Sequence, residues 1–147
     1  MYHCRIQLYL VGCQQELFQP LREAPPLERF THAFSESAGP DPALAARADV
    51  IFADLTGLDT REALSILSAG QGELVVLADR ETLDALPDVF STADDVWLLP
   101  MGPEERSFRF RRWQENFQRE KDLWQARQFL ETAINSVPNL VWYKTRD

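Results

Sequence analysis

The chain has 147 residues, of which 45% are hydrophobic and 26% are charged, and its formal net charge is −8. These values are those of a globular domain, and the acidic balance disfavours binding to nucleic acid or to anionic lipid. The sequence contains no run of about 18 apolar residues, so no membrane span is predicted. Its N-terminus lacks a charged segment and a cleavage site, so no signal peptide is predicted. We therefore expect a cytoplasmic protein.

Strand-like and helix-like segments alternate through the first two thirds of the sequence. Strands are predicted at 5–11, 27–34, 49–55, 72–79 and 95–100. Helices are predicted at 14–24, 43–48, 59–70 and 81–93, with a break at Pro87 and a turn over 35–42. Continuous runs of Val, Leu and Ile are typical of strands covered on both faces. The predicted fold is therefore α/β, a doubly wound five-stranded parallel sheet, with Ile51 and Leu98 in the core.

A long helix is predicted after this sheet, because no Gly or Pro occurs from Glu104 to Ser136. Two apolar seams run along it at heptad spacing, one residue out of phase. The first consists of Phe110, Trp113, Phe117 and Trp124, and the second of Leu123, Ala126, Leu130, Ala133 and Val137. Such seams are typical of coiled coils. We predict a parallel homodimer through Trp113, Phe117, Leu123, Trp124, Leu130 and Ile134, and a regulatory protein as a further partner.

The order of elements over residues 5–115, with Asp54 ending the third strand, resembles bacterial response-regulator receiver domains. The resemblance implies a flavodoxin-like fold and a site at the carboxyl ends of the strands. In that family, two acids after the first strand hold magnesium beside a phospho-accepting aspartate. A Thr or Ser after the fourth strand and a Lys before a Pro on the fifth strand bind the phosphoryl oxygens.

Most of the chemical groups that this resemblance implies are replaced here. The degenerate positions are Gly12 and Cys13 for the acid pair, Ala78 for the hydroxyl, and Leu99 before Pro100 for the lysine. Asp54 alone is a poor magnesium site, because hard cations need several oxygen ligands. We therefore predict a pseudo-receiver without enzymatic activity, metal or cofactor, in which Asp54 caps a strand end. Phosphorylation of Asp54 and a nucleotide-binding flavodoxin-like domain remain the alternatives.

Other polar residues receive structural interpretations. Cys4 and Cys13 are predicted to be free thiols, since the sequence has no Cys/His cluster. Asp49, Asp94 and Asp95 precede strands and are predicted to be solvated turn residues. Asp79 is predicted to act at a helix N-terminus rather than in a rebuilt acid site.

The end of the sequence, FLETAINSVPNLVWYKTRD, resembles the opening of PAS sensory domains, with a break at 136–139 and a first strand at 140–147. We expect a receiver-like domain at 1–103, a dimerising helix at 104–137, and the start of a PAS domain at 138–147. This order resembles bacterial multidomain signalling proteins such as diguanylate cyclases, which implies a cyclic di-GMP output. A histidine kinase output is the alternative.

Overall fold

The sheet has five strands in the computed structural model, which describes residues 3–136. The strands are β1 Cys4–Val11, β2 Phe30–Ser37, β3 Val50–Asp54, β4 Glu73–Asp79 and β5 Asp95–Leu99. All pairings are parallel, and the strand order is β2-β1-β3-β4-β5. This arrangement confirms the predicted α/β fold with a five-stranded parallel sheet and a long C-terminal helix.

Helices connect the strands in the expected order. They are α1 Gln19–Glu23, α2 Pro42–Arg47, α3 Thr60–Leu67, α4 Arg80–Ala85, α5 Val89–Thr92 and α6 Pro103–Ser136. A 3-10 turn, Gln15–Phe18, precedes α1 and divides the helix predicted at 14–24. The division places Pro20 in the first turn of α1, where its missing N–H needs no partner. Pro87 separates α4 from α5, as predicted.

The core lies on both faces of the sheet, because every residue of β3 is buried and successive side chains point to opposite faces. On one face, Ile51 belongs to a hydrophobic cluster that includes Leu64 of α3. On the other face, the ring of Phe52 lies 5.4 Å from that of Trp97 and 5.6 Å from that of Phe110, measured between centroids. Phe110 belongs to α6, so the start of this helix covers the second face.

The second strand extends further than the sequence predicts. It was expected at 27–34, whereas β2 continues to Ser37, so the turn predicted over 35–42 is wrong for its first three residues. The reason is the length of β1, whose eight residues pair in register from Cys4 beside Phe30 to Val11 beside Ser37. The partner strand therefore sets where β2 ends, although its last residues are polar.

The prediction that Leu98 lies in the core is wrong. Leu98 is 42% exposed, whereas its neighbour Trp97 is 1% exposed. β5 is the last strand in the sheet order, and its two faces are unequally covered. Alternation along this strand therefore buries Trp97 and leaves Leu98 at the surface.

Aspartates at or just before the first residue of a strand make specific hydrogen bonds. The Oδ2 atoms of Asp49 and Asp94 accept backbone N–H groups of Gln7 and Leu74, each at 2.7 Å. Asp95 accepts the indole N–H of Trp97 at 3.1 Å. These three residues were predicted to be solvated turn residues that precede strands. Asp95 is instead the first residue of β5, so the prediction is wrong for this residue.

The chain divides into two compact units, Met1–Phe110 and Arg111–Asp147. Within the described residues, no helix is both long and apolar enough to cross a membrane. The predicted PAS-like segment at 138–147 lies outside the described residues, as does Val137 of the second predicted seam.

Truncation of Ile51 and of Leu98 should have different effects on stability. We expect Ile51→Ala to cost about 2–5 kcal/mol of unfolding free energy, because it removes fully buried methyl groups. Leu98→Ala should cost less than about 1 kcal/mol, since this side chain is partly in solvent. Chemical denaturation of both variants measures the difference, and equal losses would contradict the assigned faces of β5.

Candidate functional site

The positions implied by the receiver resemblance meet at one edge of the sheet. Because all five strands are parallel, their carboxyl ends lie on the same side. β1 and β3 are adjacent, so Gly12, which follows β1, lies close to Asp54 at the end of β3. Asp79 and Leu99 end the next two strands. β1 lies between β2 and β3, which makes this edge the topological switch point where ligands bind in such folds.

Asp54 is completely buried at this edge, with 0% of its surface exposed. Its Oδ1 atom accepts the backbone N–H of Thr56 at 3.0 Å, as expected for a strand-end cap. Its Oδ2 atom has no hydrogen-bond partner in the part of the chain that the structure describes. Burial raises the pKa of this carboxyl, and the nearby charges of Asp79 and Glu16 raise it further, although the bonds to Thr56 oppose the shift.

Gly12 covers Asp54 so closely that a side chain does not fit between them. A Cβ atom built on Gly12 would lie 2.8 Å from the Cβ atom of Asp54. The φ angle of Gly12 is +155°, a conformation that favours glycine. The structure therefore brings together two of the predicted positions. It also shows that an acid at residue 12 cannot be accommodated while Asp54 stays in place.

Gln15 fixes the backbone around Gly12, a role that the sequence did not indicate. Its side-chain nitrogen lies 3.0 Å from the carbonyl oxygen of Gly12, 3.2 Å from that of Ser37 and 3.3 Å from that of Leu10. The backbone N–H of Gly12 also donates to the carbonyl of Ser37 at 3.0 Å. These bonds tie the loop after β1 to the end of β2.

Arg22 extends this network, and it too was missed from the sequence. One of its amino groups donates to the backbone carbonyl of Gln15 at 3.1 Å. The other donates to the side-chain oxygen of Gln15 and to the carboxylate of Glu36 on β2. No local spacing marks these residues, because their partners are backbone carbonyls and a neighbouring strand brought close only by folding.

Asp79 caps the N-terminus of α4, as predicted. Its Oδ1 atom accepts the backbone N–H of Thr82 at 2.8 Å, and it precedes α4 directly. The bonds to Thr82 lower the pKa of this carboxyl. The two aspartates at neighbouring strand ends therefore have pKa values shifted in opposite directions.

The remaining predicted positions differ in their burial. Ala78 is buried and Leu99 is half-buried, and the peptide between Leu99 and Pro100 is cis. Cys13 is an exposed free thiol, and Cys4 is also free. Among residues 3–136, no group of three or more His, Cys, Asp or Glu side chains is arranged to hold a metal ion.

The six residues predicted for dimerisation differ in exposure. Trp113 and Phe117 are each only 9% exposed in the single chain, and their rings stack with centroids 5.0 Å apart. Leu123, Trp124, Leu130 and Ile134 are all more than half exposed. Phe108 and Phe129 of α6 are also exposed. They were not included in the predicted set, because they lie outside both heptad seams.

Solved receiver domains have similar structures. The receiver domain of AraT, a response regulator from Geobacillus stearothermophilus, is 17% identical, with a TM-score of 0.58, and the match covers 79% of this chain and 98% of that one. A signal receiver domain from Vibrio parahaemolyticus is 11% identical, with a TM-score of 0.55, over 81% of this chain and 97% of that one.

A third similar structure is NtrX from Brucella abortus, solved in complex with ADP. It is 17% identical, with a TM-score of 0.53, and the match covers 81% of this chain but 30% of NtrX. No family model and no curated protein matches the chain. At these identities, the comparisons establish a receiver-like fold.

Substitution of Gly12 should be more damaging than substitution of Gly57 or Gly39, whose Cβ atoms would meet no neighbouring atom within 4 Å. Gly12→Ala combines a steric clash with an unfavourable φ angle, and we expect a loss of about 2–4 kcal/mol. Gly57→Ala, at φ +79° in open space, should cost about 1 kcal/mol from backbone strain alone. Gly39→Ala, which meets no atom within 4 Å, is the control. Denaturant unfolding of the three variants would contradict the close contact if all losses were equal.

The burial of Asp54 should make stability depend on pH. The folded state binds the Asp54 proton more tightly than the unfolded chain does, so protonation of Asp54 stabilises the fold. This stabilisation is complete below the ordinary aspartate pKa. It is lost as the pH rises through the raised pKa. As the pH rises above about 4, the native protein should therefore lose stability relative to Asp54→Asn. Urea denaturation at several pH values measures the difference in unfolding free energy between the two proteins. Asp79 is present in both, so its contribution to the two pH profiles is the same. Parallel pH profiles would show that Asp54 is not perturbed.

Proposed function

We propose that this chain is a regulatory module of bacterial signal transduction, a pseudo-receiver that acts through protein contacts and not through catalysis. The observation that carries the proposal is the buried Asp54, covered by the backbone of Gly12. The receiver-like fold supports a role in signalling, and the burial of Asp54 at the carboxyl ends of the strands argues against phosphoryl transfer.

Phosphorylation of Asp54 would require access, a cation and stabilisation of the added charge. The carboxyl has no exposed surface, and glycine and cysteine stand where two acids would hold magnesium. Leu99 cannot pair with phosphoryl oxygens. A phosphoryl group adds a charge of nearly −2, and the nearest acids, Asp79 and Glu16, already repel a negative charge at Asp54.

The alternative function is a receiver in which Asp54 does accept a phosphoryl group. It is favoured only by the retained aspartate at the end of β3. For this reaction, the segment around Gly12 would have to move away from Asp54, which requires breaking the bonds that Gln15 makes to three backbone carbonyls. The cost of that opening favours the pseudo-receiver.

The output side of the proposal rests on α6 and on the sequence after it. We propose that two copies associate through the exposed C-terminal part of α6, so that both chains deliver their downstream segments side by side. The PAS-like residues 138–147 support a sensory domain there, followed by a diguanylate cyclase that makes cyclic di-GMP. A histidine kinase is the alternative output.

Treatment with a small phosphodonor tests the proposal directly. The full chain is incubated with acetyl phosphate and magnesium, and its intact mass is measured. We expect no stoichiometric phosphoryl adduct, because Asp54 is inaccessible and lacks metal ligands. Asp59→Asn, at an exposed helix cap, serves as the control for adducts elsewhere. An adduct that persists in Asp59→Asn and disappears in Asp54→Asn would overturn the pseudo-receiver assignment.

A further inference from the structure

The C-terminal half of α6 carries an apolar stripe that a single chain leaves exposed. Leu123 and Leu130 are each 59% exposed, Ile134 is 51% exposed, and Phe129 is 73% exposed. An α-helix turns by about 100° per residue, so Leu123, Leu130 and Ile134 lie within about 40° of one another. A continuous apolar surface of this kind indicates a protein partner.

The stripe has the register of a coiled coil. Leu123 and Leu130 are seven residues apart and occupy one core position, a, while Ala126 and Ala133 occupy the other, d. The flanking positions are then defined. Asp122 and Phe129 lie at the g position, and Arg127 and Ile134 lie at the e position.

The flanking residues distinguish a parallel pair from an antiparallel one. In a parallel pair in register, each g residue faces the e residue five positions later on the other helix. Asp122 would then face Arg127 of the partner subunit, and Phe129 would face Ile134 of the partner subunit. Charge meets opposite charge, and apolar meets apolar. An antiparallel pair instead joins g positions with g positions and loses this match.

The same register limits how far the contact extends toward the N-terminus. Continued backward, it places Arg119 and Arg112 at d positions. In a parallel pair each d residue meets its own counterpart, so these arginines would bring like charges together. The contact therefore begins after Arg119. Phe117 is buried within one chain, so it does not belong to this stripe.

We propose that a second copy of this chain docks on residues 122–134 in parallel and in register, with Asp122 paired to Arg127 of the partner subunit. The inference rests on the dimer of the proposed function and specifies its geometry. It revises the interface predicted from the sequence, because Trp113, Phe117 and Trp124 fall outside the stripe and Phe129 enters it.

Two charge reversals in the full chain test this pairing. Asp122→Arg places arginine opposite arginine in a homodimer, and Arg127→Asp places aspartate opposite aspartate. Each variant alone should dimerise about tenfold more weakly, because two symmetric pairs change from attraction to repulsion. Mixed in equal amounts, the two variants should form heterodimers in excess of the statistical half, since both pairs then regain opposite charges. Sedimentation gives the affinities, and native mass spectrometry resolves the mixed species.

Glu131→Arg is the matched control for Asp122→Arg, because it makes the same charge change on α6 at an exposed position outside the e and g sites. It should leave dimer affinity unchanged, and circular dichroism should show that all variants keep their helix content. Statistical mixing of the two variants, or an equal loss of affinity in Glu131→Arg, would overturn the proposed register. If the native chain still dimerised in that case, the dimer of the proposed function would stand. A native chain that stays monomeric would overturn both the register and the dimer of the proposed function.

Discussion

The contact between the backbone of Gly12 and the side chain of Asp54 constrains the whole carboxyl edge of the sheet. Because a Cβ atom at residue 12 would approach Asp54 to 2.8 Å, the burial of Asp54 and the absence of a side chain at residue 12 depend on each other. Gln15 holds the Gly12 carbonyl, and Arg22 holds Gln15. The network therefore ties the backbone of Gly12 to β2 through Gln15 and Arg22.

This closure has an electrostatic consequence. A carboxyl with one unpaired buried oxygen is costly in its charged form, because desolvation is compensated only by the bonds to Thr56. Gly12 and Cys13, which follow β1, carry no carboxylate or cationic group. Proton binding removes the cost of the buried charge, so burial raises the pKa of Asp54. Asp79, by contrast, is stabilised as a carboxylate by the N-terminus of α4.

The sequence was informative where local pattern and final environment agree. β3 and β4 are continuous apolar runs, and both are buried strands ending in aspartate. The end of β2 could not be predicted, because Ser35–Ser37 are polar and only pairing with β1 makes them a strand. Gln15 was missed for a similar reason, since its partners are carbonyls from two strands. The seams of α6 look alike in sequence, and only burial separates Phe117 from Leu123.

The two apolar surfaces of the second unit are used differently along one helix. The first surface consists of Trp113 and Phe117, whose rings stack on each other. The amino group of Lys121 lies 5.4 Å from the centroid of the Phe117 ring, so a charged residue follows this surface. Leu123 begins the second surface about 120° around the helix. The proposed dimer therefore does not compete with the burial of Trp113 and Phe117.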